Sequence, residues 1–165
     1  MNLNTIQGIF NDLATRHKAV NSFYSGLATE FNQDYDIRYP AVLVDPVSIN
    51  QSVREGFFQN QWNIVLEVID LLPVDRDMAD INKTLDKSKR ILDEILTEFI
   101  TNYNDKTLTY DNEEVRSDFV IQDGFQVLPL IDDTEKNHTG WQCSFAIVEQ
   151  VRFSTCCNSD AFTDA

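Results

Sequence analysis

Long apolar runs are missing from this sequence of 165 residues. No stretch approaches the roughly 20 apolar residues that an α-helix needs to cross a bilayer. The first residues, MNLNTIQGIFNDL, also lack the basic start and the apolar segment of a secretory signal peptide. We therefore expect no membrane association, and synthesis in the cytoplasm of whichever cell makes the protein.

Basic residues are scarce as well. The sequence has 13 Lys and Arg residues against 27 Asp and Glu residues, a formal net charge of -14. The basic stripe typical of nucleic-acid-binding proteins is absent, and a strongly negative field repels phosphate. This balance argues against tight binding of DNA or RNA. It still permits a nucleic acid to pass close by without binding.

Few residues carry a recognisable chemistry. The three cysteines are an odd number, and the adjacent Cys156 and Cys157 lack the C-x-x-C spacing of a redox or zinc motif. The five glycines are too far apart to form a phosphate-binding loop, and neither a G-x-S-x-G nor an H-E-x-x-H motif occurs. His17 lies in an apolar helical stripe and is expected to be a packed core residue, whereas His138 lies in a polar loop and is expected to be solvated. The sequence therefore predicts no cofactor, no catalytic residue and no enzymatic activity.

Apolar residues are nevertheless sufficient for a core. Hydrophobic residues make up 42% of the chain and include 11 Phe, which suits one globular domain of this length. We assign residues 1–153 to a single domain. Residues 154–165, STCCNSDAFTDA, show no hydrophobic period and are expected to form a flexible tail.

Two segments have a helical period. In residues 4–31, apolar or aromatic residues recur every three or four positions and predict one long amphipathic helix. Residues 78–100 have the same period and predict a second helix. Between and after them, four segments predict strands, over residues 36–49, 62–72, 119–131 and 140–153, the third bent at Gly124. Residues 50–61, NQSVREGFFQNQ, are predicted to be a polar linker.

The element order is helix, strand, strand, helix, strand, strand. Paired strands separated by helices are typical of α+β domains. We predict a four-stranded, mainly antiparallel sheet, with the long N-terminal helix and the second helix packed on one face.

Four aspartates, Asp70, Asp75, Asp77 and Asp80, are concentrated where the second strand gives way to the second helix. Either Asp75 or Asp77 is suited to cap the helix, and Asp80 to lie in its first turn, where negative charge is favourable. A calcium-binding loop of the EF-hand type would require a glycine that the segment lacks. Capping is therefore the preferred interpretation. The alternative is a metal-dependent hydrolase that uses Asp70, Asp75 and Asp77.

Phe57 and Phe58 are adjacent aromatic residues in the polar segment 50–61. Exposed aromatic residues often mark a contact with another protein. Burial within the monomer is an equally good explanation. Both remain open at the level of the sequence, and we treat the pair as a candidate subunit interface.

Together, the leading helix, the strands YPAVLV and WNIVLEVIDLL, the helix DINKTLDKSKRILDEIL and the closing GWQCSFAIVEQVRF resemble the tail-terminator and tail-completion proteins of tailed bacteriophages. The resemblance extends over residues 4–153 and lies in the order and spacing of elements. It implies a virion protein that forms a ring in the neck or tail, with itself and neighbouring neck or tail proteins as partners. DNA would pass through the ring without specific binding. A neck ring of a short-tailed phage would fit equally well.

The acidic connector of residues 104–118 suggests what the charge would do in such a ring. Its carboxylates would repel DNA phosphates, so we predict that Asp111, Glu113, Glu114 and Asp118 line the DNA channel. These residues would otherwise face outward and serve solubility. The remaining alternative for the whole chain is a monomeric adaptor or inhibitor that binds a host protein through its acidic surface.

Overall fold

The computed structural model describes residues 2–26, 37–45, 47–54, 57–73, 77–110, 113–114, 119–131 and 137–152. These residues form an α+β fold with two helices and a seven-stranded, mixed but mainly antiparallel sheet. The elements in chain order are α1 (Leu3–Arg16), β1 (Ser22–Ser25), β2 (Ala41–Val44), β3 (Ser48–Arg54), β4 (Phe57–Leu71), α2 (Met78–Asn104), β5 (Thr109–Tyr110), β6 (Glu113–Glu114), β7 (Phe119–Ile121), β8 (Gln126–Ile131) and β9 (His138–Arg152). No helix among the described residues is long and apolar enough to cross a membrane.

Two long strands form the centre of the sheet. β4 and β9 are antiparallel and pair along their full length of 15 residues each. On the outer side of β4, β3 pairs with its first half and β2 with its second half. On the outer side of β9, β8 pairs with residues 139–144 and β7 pairs with residues 147–149. β1 extends the sheet beyond β2 and is parallel to it.

The main core lies between the sheet and the two helices. Trp62, Ile64 and Leu66 alternate along β4 and are buried, as the sequence predicts. The register places each of them directly opposite a buried residue of β9, so that both strands present one apolar face to the helices. From α1, Phe10 contacts Phe99 of α2 at a ring separation of 5.1 Å. The predicted helices on one face of an antiparallel sheet are therefore confirmed in this coarser form.

The second helix is confirmed and ends four residues beyond its predicted end. Its N-cap is Asp77, whose Oδ1 accepts the backbone N–H of Asp80 at 2.9 Å. The Asp80 side chain accepts the backbone N–H of Asp77 in return, which completes a capping box. Two of the four clustered aspartates thus begin the helix, in agreement with the capping interpretation.

The prediction of one long N-terminal helix over residues 4–31 was wrong. α1 ends at Arg16, where the backbone N–H of His17 bonds the carbonyl of Ala14. Residues 22–25 form β1 instead, while residues 27–36 lie outside the described part of the chain. The physical reason is tertiary: pairing with β2 gives this segment backbone partners and packs Phe23 against the core. An apolar stripe at intervals of three and four cannot reveal such a partner.

The predictions of a polar linker over residues 50–61 and of a four-stranded sheet were wrong as well. Residues 48–54 and 57–63 pair as an antiparallel hairpin, and the sheet has seven strands. Strand prediction depends on alternation between a buried and an exposed face. Because the described side chains of β3 are exposed on both faces, the polar residues of this strand leave no such alternation. The single strand predicted over residues 119–131 is divided into β7 and β8, and Gly124 lies between them with a φ of 108°.

Candidate self-association surface

Phe57 and Phe58 begin β4 and belong to a sheet, not to a loop. Both side chains are half-buried. Phe58 pairs with Val53 of β3 on one side and Val151 of β9 on the other, and Phe57 pairs with the backbones of Arg54 and Arg152. Successive residues of a strand point to opposite faces, so Phe58 shares the helix-bearing face with Trp62 and Phe57 points to the other face. We refer to residues 48–54, 57–63 and 147–152 as the arm.

β3 is the outer strand of the arm and is unusually exposed. Every side chain from Ser48 to Val53 is exposed to solvent. Two of them are large and apolar, with exposed fractions of 50% for Ile49 and 68% for Val53. The register puts both on the face that carries Phe58. The arm therefore presents apolar side chains that pass from buried through half-buried to exposed and end at β3, the outermost strand at this position among the described residues.

Side-chain hydrogen bonds hold β3 to β4 on both faces of the arm. Gln51 Nε2 donates to Asn60 Oδ1 at 2.9 Å, and Asn63 Nδ2 donates to Ser48 Oγ at 3.2 Å. β3 is therefore a well-paired strand whose inner edge is satisfied, although its side chains face water.

The charge of β3 differs from that of the chain as a whole. Residues 47–54, VSINQSVR, contain no acidic residue and one arginine, in a protein with 27 acidic residues. Proteins that keep sheet edges apart place charged residues or proline on the exposed strand. From Ser48 to Val53, β3 has neither. Among the described residues, the outer edge of β3 therefore carries no carboxylate from Ser48 to Val53.

No protein-family model matches the chain, and no curated protein is significantly similar to it. The function must therefore be argued from the residues and from the element order.

The predicted channel-lining residues are only partly within the described chain. Asp111 and Asp118 lie outside the described residues. Glu113 and Glu114 form β6, which pairs with Thr109 and Tyr110 of β5, and only their backbone is described. The acidic lining therefore stays a prediction.

Three of the four clustered aspartates have partners within the protein. Asp77 and Asp80 cap α2, and Asp70 Oδ2 accepts a hydrogen bond from Lys87 Nζ at 2.7 Å. Asp75 lies outside the described residues. In the part of the chain that is described, no group of three or more His, Cys, Asp or Glu residues is arranged to hold a metal ion.

Of the two histidines, His138 does not lie where the sequence suggested. His17 directly follows the last residue of α1 and is partly buried, with a side-chain exposed fraction of 16%. Its Nε2 lies 2.8 Å from Glu94 Oε2, and its Nδ1 accepts the backbone N–H of Ala19. His138 is not solvated: its exposed fraction is 4%, and its Nε2 lies 2.7 Å from Tyr39 Oη. The polar loop predicted around His138 concealed that it is the first residue of β9. Both rings serve contacts between elements.

Sequence reasoning missed a buried carboxyl group at the centre of the sheet. Glu67 has an exposed fraction of 8% and lies on the face opposite the helices, beside Leu43 of β2. Burial and the nearby carboxylate of Asp45 raise the pKa of Glu67 to about 7. Burial also raises the pKa of Asp45. Glu67 therefore exchanges a proton near neutral pH, but the two carboxyl groups alone form no catalytic or metal site. The signal available in the sequence was Glu67 itself, a charge within an otherwise apolar run.

Exposed charges on α2 mostly neutralise each other. Lys89 forms an ion pair with Asp93, and Arg90 lies 3.7 Å from Glu94, both one helical turn apart. A shallow depression over this side of the helix is lined by the same residues. Asp86, Thr97 and Glu98 complete its lining, and its basic side chains are those of Lys89 and Arg90, which already pair with Asp93 and Glu94.

Proposed function

We propose that this chain is a virion structural protein that assembles into a ring in the neck or tail of a tailed bacteriophage. Two lines of argument support the proposal. The element order that resembles tail-terminator and tail-completion proteins is retained for strand 41–44, strand 57–71, helix 78–104 and strand 138–152. The leading helix is shorter than that resemblance implies, at 14 residues.

The observation that carries the proposal is the arm. Its outer strand β3 is exposed on both faces, the apolar residues of β3 adjoin Phe58, and β3 contains no acidic residue in a chain that has 27 of them. A strand of this kind gains stability when a further surface covers it. Copies of this chain are the partners that a ring protein offers, and neighbouring neck or tail proteins would contact the ring.

The first test is the mass of the native particle, with assembly variants. The wild-type chain should form a particle of several copies, and Phe57→Ser with Phe58→Ser should reduce it to a folded monomer. Since both phenylalanines are half-buried, a second variant, Ile49→Ser with Val53→Ser, removes only exposed apolar groups and should also weaken assembly. Leu128→Ser, an exposed apolar site on β8, is the matched control and should leave assembly intact. Normal assembly of both double variants would contradict the proposal.

The acidic channel is tested separately by a density map of the assembled particle. The connector that contains Asp111, Glu113, Glu114 and Asp118 should face the central channel, with DNA passing without specific contacts. A connector on the outer wall would contradict that part. A stable monomer that captures a host protein would instead favour the adaptor or inhibitor alternative. Calorimetric binding of magnesium, calcium or manganese at micromolar affinity would favour the hydrolase.

A further inference from the structure

We infer that β3 pairs edge to edge with β3 of a second copy of this chain, antiparallel and centred on Gln51, to form one continuous sheet across two subunits. The inference rests on the self-assembly part of the proposed function and does not depend on the phage ring. It names the strand, the partner and the register of the contact.

The outer edge of β3 is the strongest candidate among the described sheet edges. β1 lies beyond β2, not beyond β3, so in the described part of the chain no strand occupies the position next to β3. The other edges are less suited to pairing: β1 has four residues, β7 has three, and β8 contains Pro129, which has no backbone N–H. β3 offers seven residues without proline.

The sequence of β3 is complementary to itself in this register. Ile49 and Val53 lie two residues on either side of Gln51, so each would lie opposite the other residue in the second copy. Directly opposite residues of an antiparallel pair point to the same face, and their Cβ atoms are about 5 Å apart. The two exposed apolar side chains of each strand would therefore be covered together. Asn50 would lie opposite Ser52, and the arginine at position 54 opposite Ser48.

The symmetry of this contact also places the two subunits without overlap of their described strands. Antiparallel pairing of identical edges requires a two-fold axis perpendicular to the sheet. β1 and β2 of each copy lie at the end of β4 away from β3. The two-fold axis therefore places β1 and β2 of one copy at one end of the joined sheet and those of the second copy at the other end. The helices of both copies lie on the same face of the joined sheet.

Electrostatics favours this edge over the rest of the surface. Two chains of net charge -14 repel each other, and the repulsion is smallest where acidic residues are absent. Residues 47–54 contribute one positive charge and no negative charge. A two-fold contact closes on itself, so a ring built from such pairs would require a second, different contact.

Disulfide cross-linking tests the register. The test uses the full chain with Cys156→Ser and Cys157→Ser, while the buried Cys143 is kept. Gln51→Cys should give a covalent dimer under mild oxidation, because opposite Cα atoms in an antiparallel pair are about 4.5 to 5.5 Å apart. Ser48→Cys is the matched control and should give none, because the two copies of position 48 would be about 20 Å apart. Equal cross-linking at both positions, or none at position 51, would overturn the inference.

A charge exchange tests the same pairing without a covalent bond. Val53→Glu should weaken self-association about tenfold or more, because it places a carboxylate opposite Ile49 in both symmetry-related pairs. Adding Ile49→Lys to Val53→Glu places opposite charges face to face and should restore most of the association, measured by sedimentation equilibrium. An unchanged association of the single variant would overturn the inference. If the wild-type chain forms rings that neither test affects, the pairing of β3 with β3 is wrong and the proposed function stands. If the chain gives the cross-linked dimer but forms no rings, the pairing stands and the proposed ring is wrong.

Discussion

At the scale of one residue, Glu67 shows how the fold changes the pKa of a side chain that looks ordinary in the sequence. The alternation of β4 places Glu67 on the face of the sheet away from the helices. A second, smaller apolar cluster of Ala41, Leu43 and Ile69 lies on that face. Leu43 of β2 and Gln142 of β9 lie directly opposite Glu67, and only the register brings them beside it. A single sequence contains no direct sign of that register, so the raised pKa could not be predicted.

The raised pKa of Glu67 predicts that this residue makes stability depend on pH. Its pKa of about 7 in the folded protein exceeds the ordinary glutamate value of 4.5, so the folded state holds the proton more tightly than the unfolded state. The stabilisation is therefore complete at low pH and is lost as pH rises from about 4.5 to about 7. Glu67→Gln should have little effect at pH 5 and should stabilise the protein at pH 8 by up to about 3 kcal/mol.

Urea unfolding of the wild type and the variant at the two pH values measures this difference. Glu98→Gln removes the same charge from the exposed side of α2 and controls for net charge. The same stabilisation at pH 5 and pH 8 would show that Glu67 does not titrate in this range in the folded protein.

At the scale of elements, the sequence predicts those segments that have one buried face and one exposed face. The alternation of Trp62, Ile64 and Leu66 and the helical period of residues 78–100 reflect burial on one side, and both elements form as predicted. β3 and β1 lack this property, since β3 is exposed on both faces and all four residues of β1 are half-buried. The candidate site was recognised only through Phe57 and Phe58. The exposed edge beside them became apparent from strand pairing.

The N-terminal cap of α2 gives a prediction at this scale. Asp77→Ala removes the side-chain acceptor for the backbone N–H of Asp80 and breaks the capping box. The expected loss is about 1 kcal/mol in the free energy of unfolding, measured by urea denaturation. Asp77→Asn keeps an acceptor oxygen and should lose less. If alanine and asparagine are equally destabilising, charge at the helix start rather than the hydrogen bond is the cause.

At the scale of the whole molecule, charge and assembly oppose each other. Each copy carries a formal net charge of -14, so bringing copies together increases their mutual repulsion. In the proposed assembly, the apolar row of the arm and the outer edge of β3 would supply the opposing attraction. They lie in a segment where acidic residues are nearly absent: between positions 46 and 66 the only one is Glu55. The separation of the acidic surface from the proposed contact is thus visible in the sequence once the arm is known.

This opposition predicts that self-association strengthens as salt is added. Raising the ionic strength from about 0.01 M to 0.15 M shortens the screening length from about 30 Å to about 8 Å, which reduces repulsion between the acidic surfaces of neighbouring copies. The contact of β3 with β3 depends on backbone hydrogen bonds and apolar side chains, which this change in salt leaves largely unaffected. Sedimentation equilibrium in sodium chloride should show tighter association at the higher salt concentration, and potassium chloride at equal ionic strength should give the same result. Weaker association at higher salt would mean that ion pairs between subunits, rather than the uncharged edge of β3, hold the copies together.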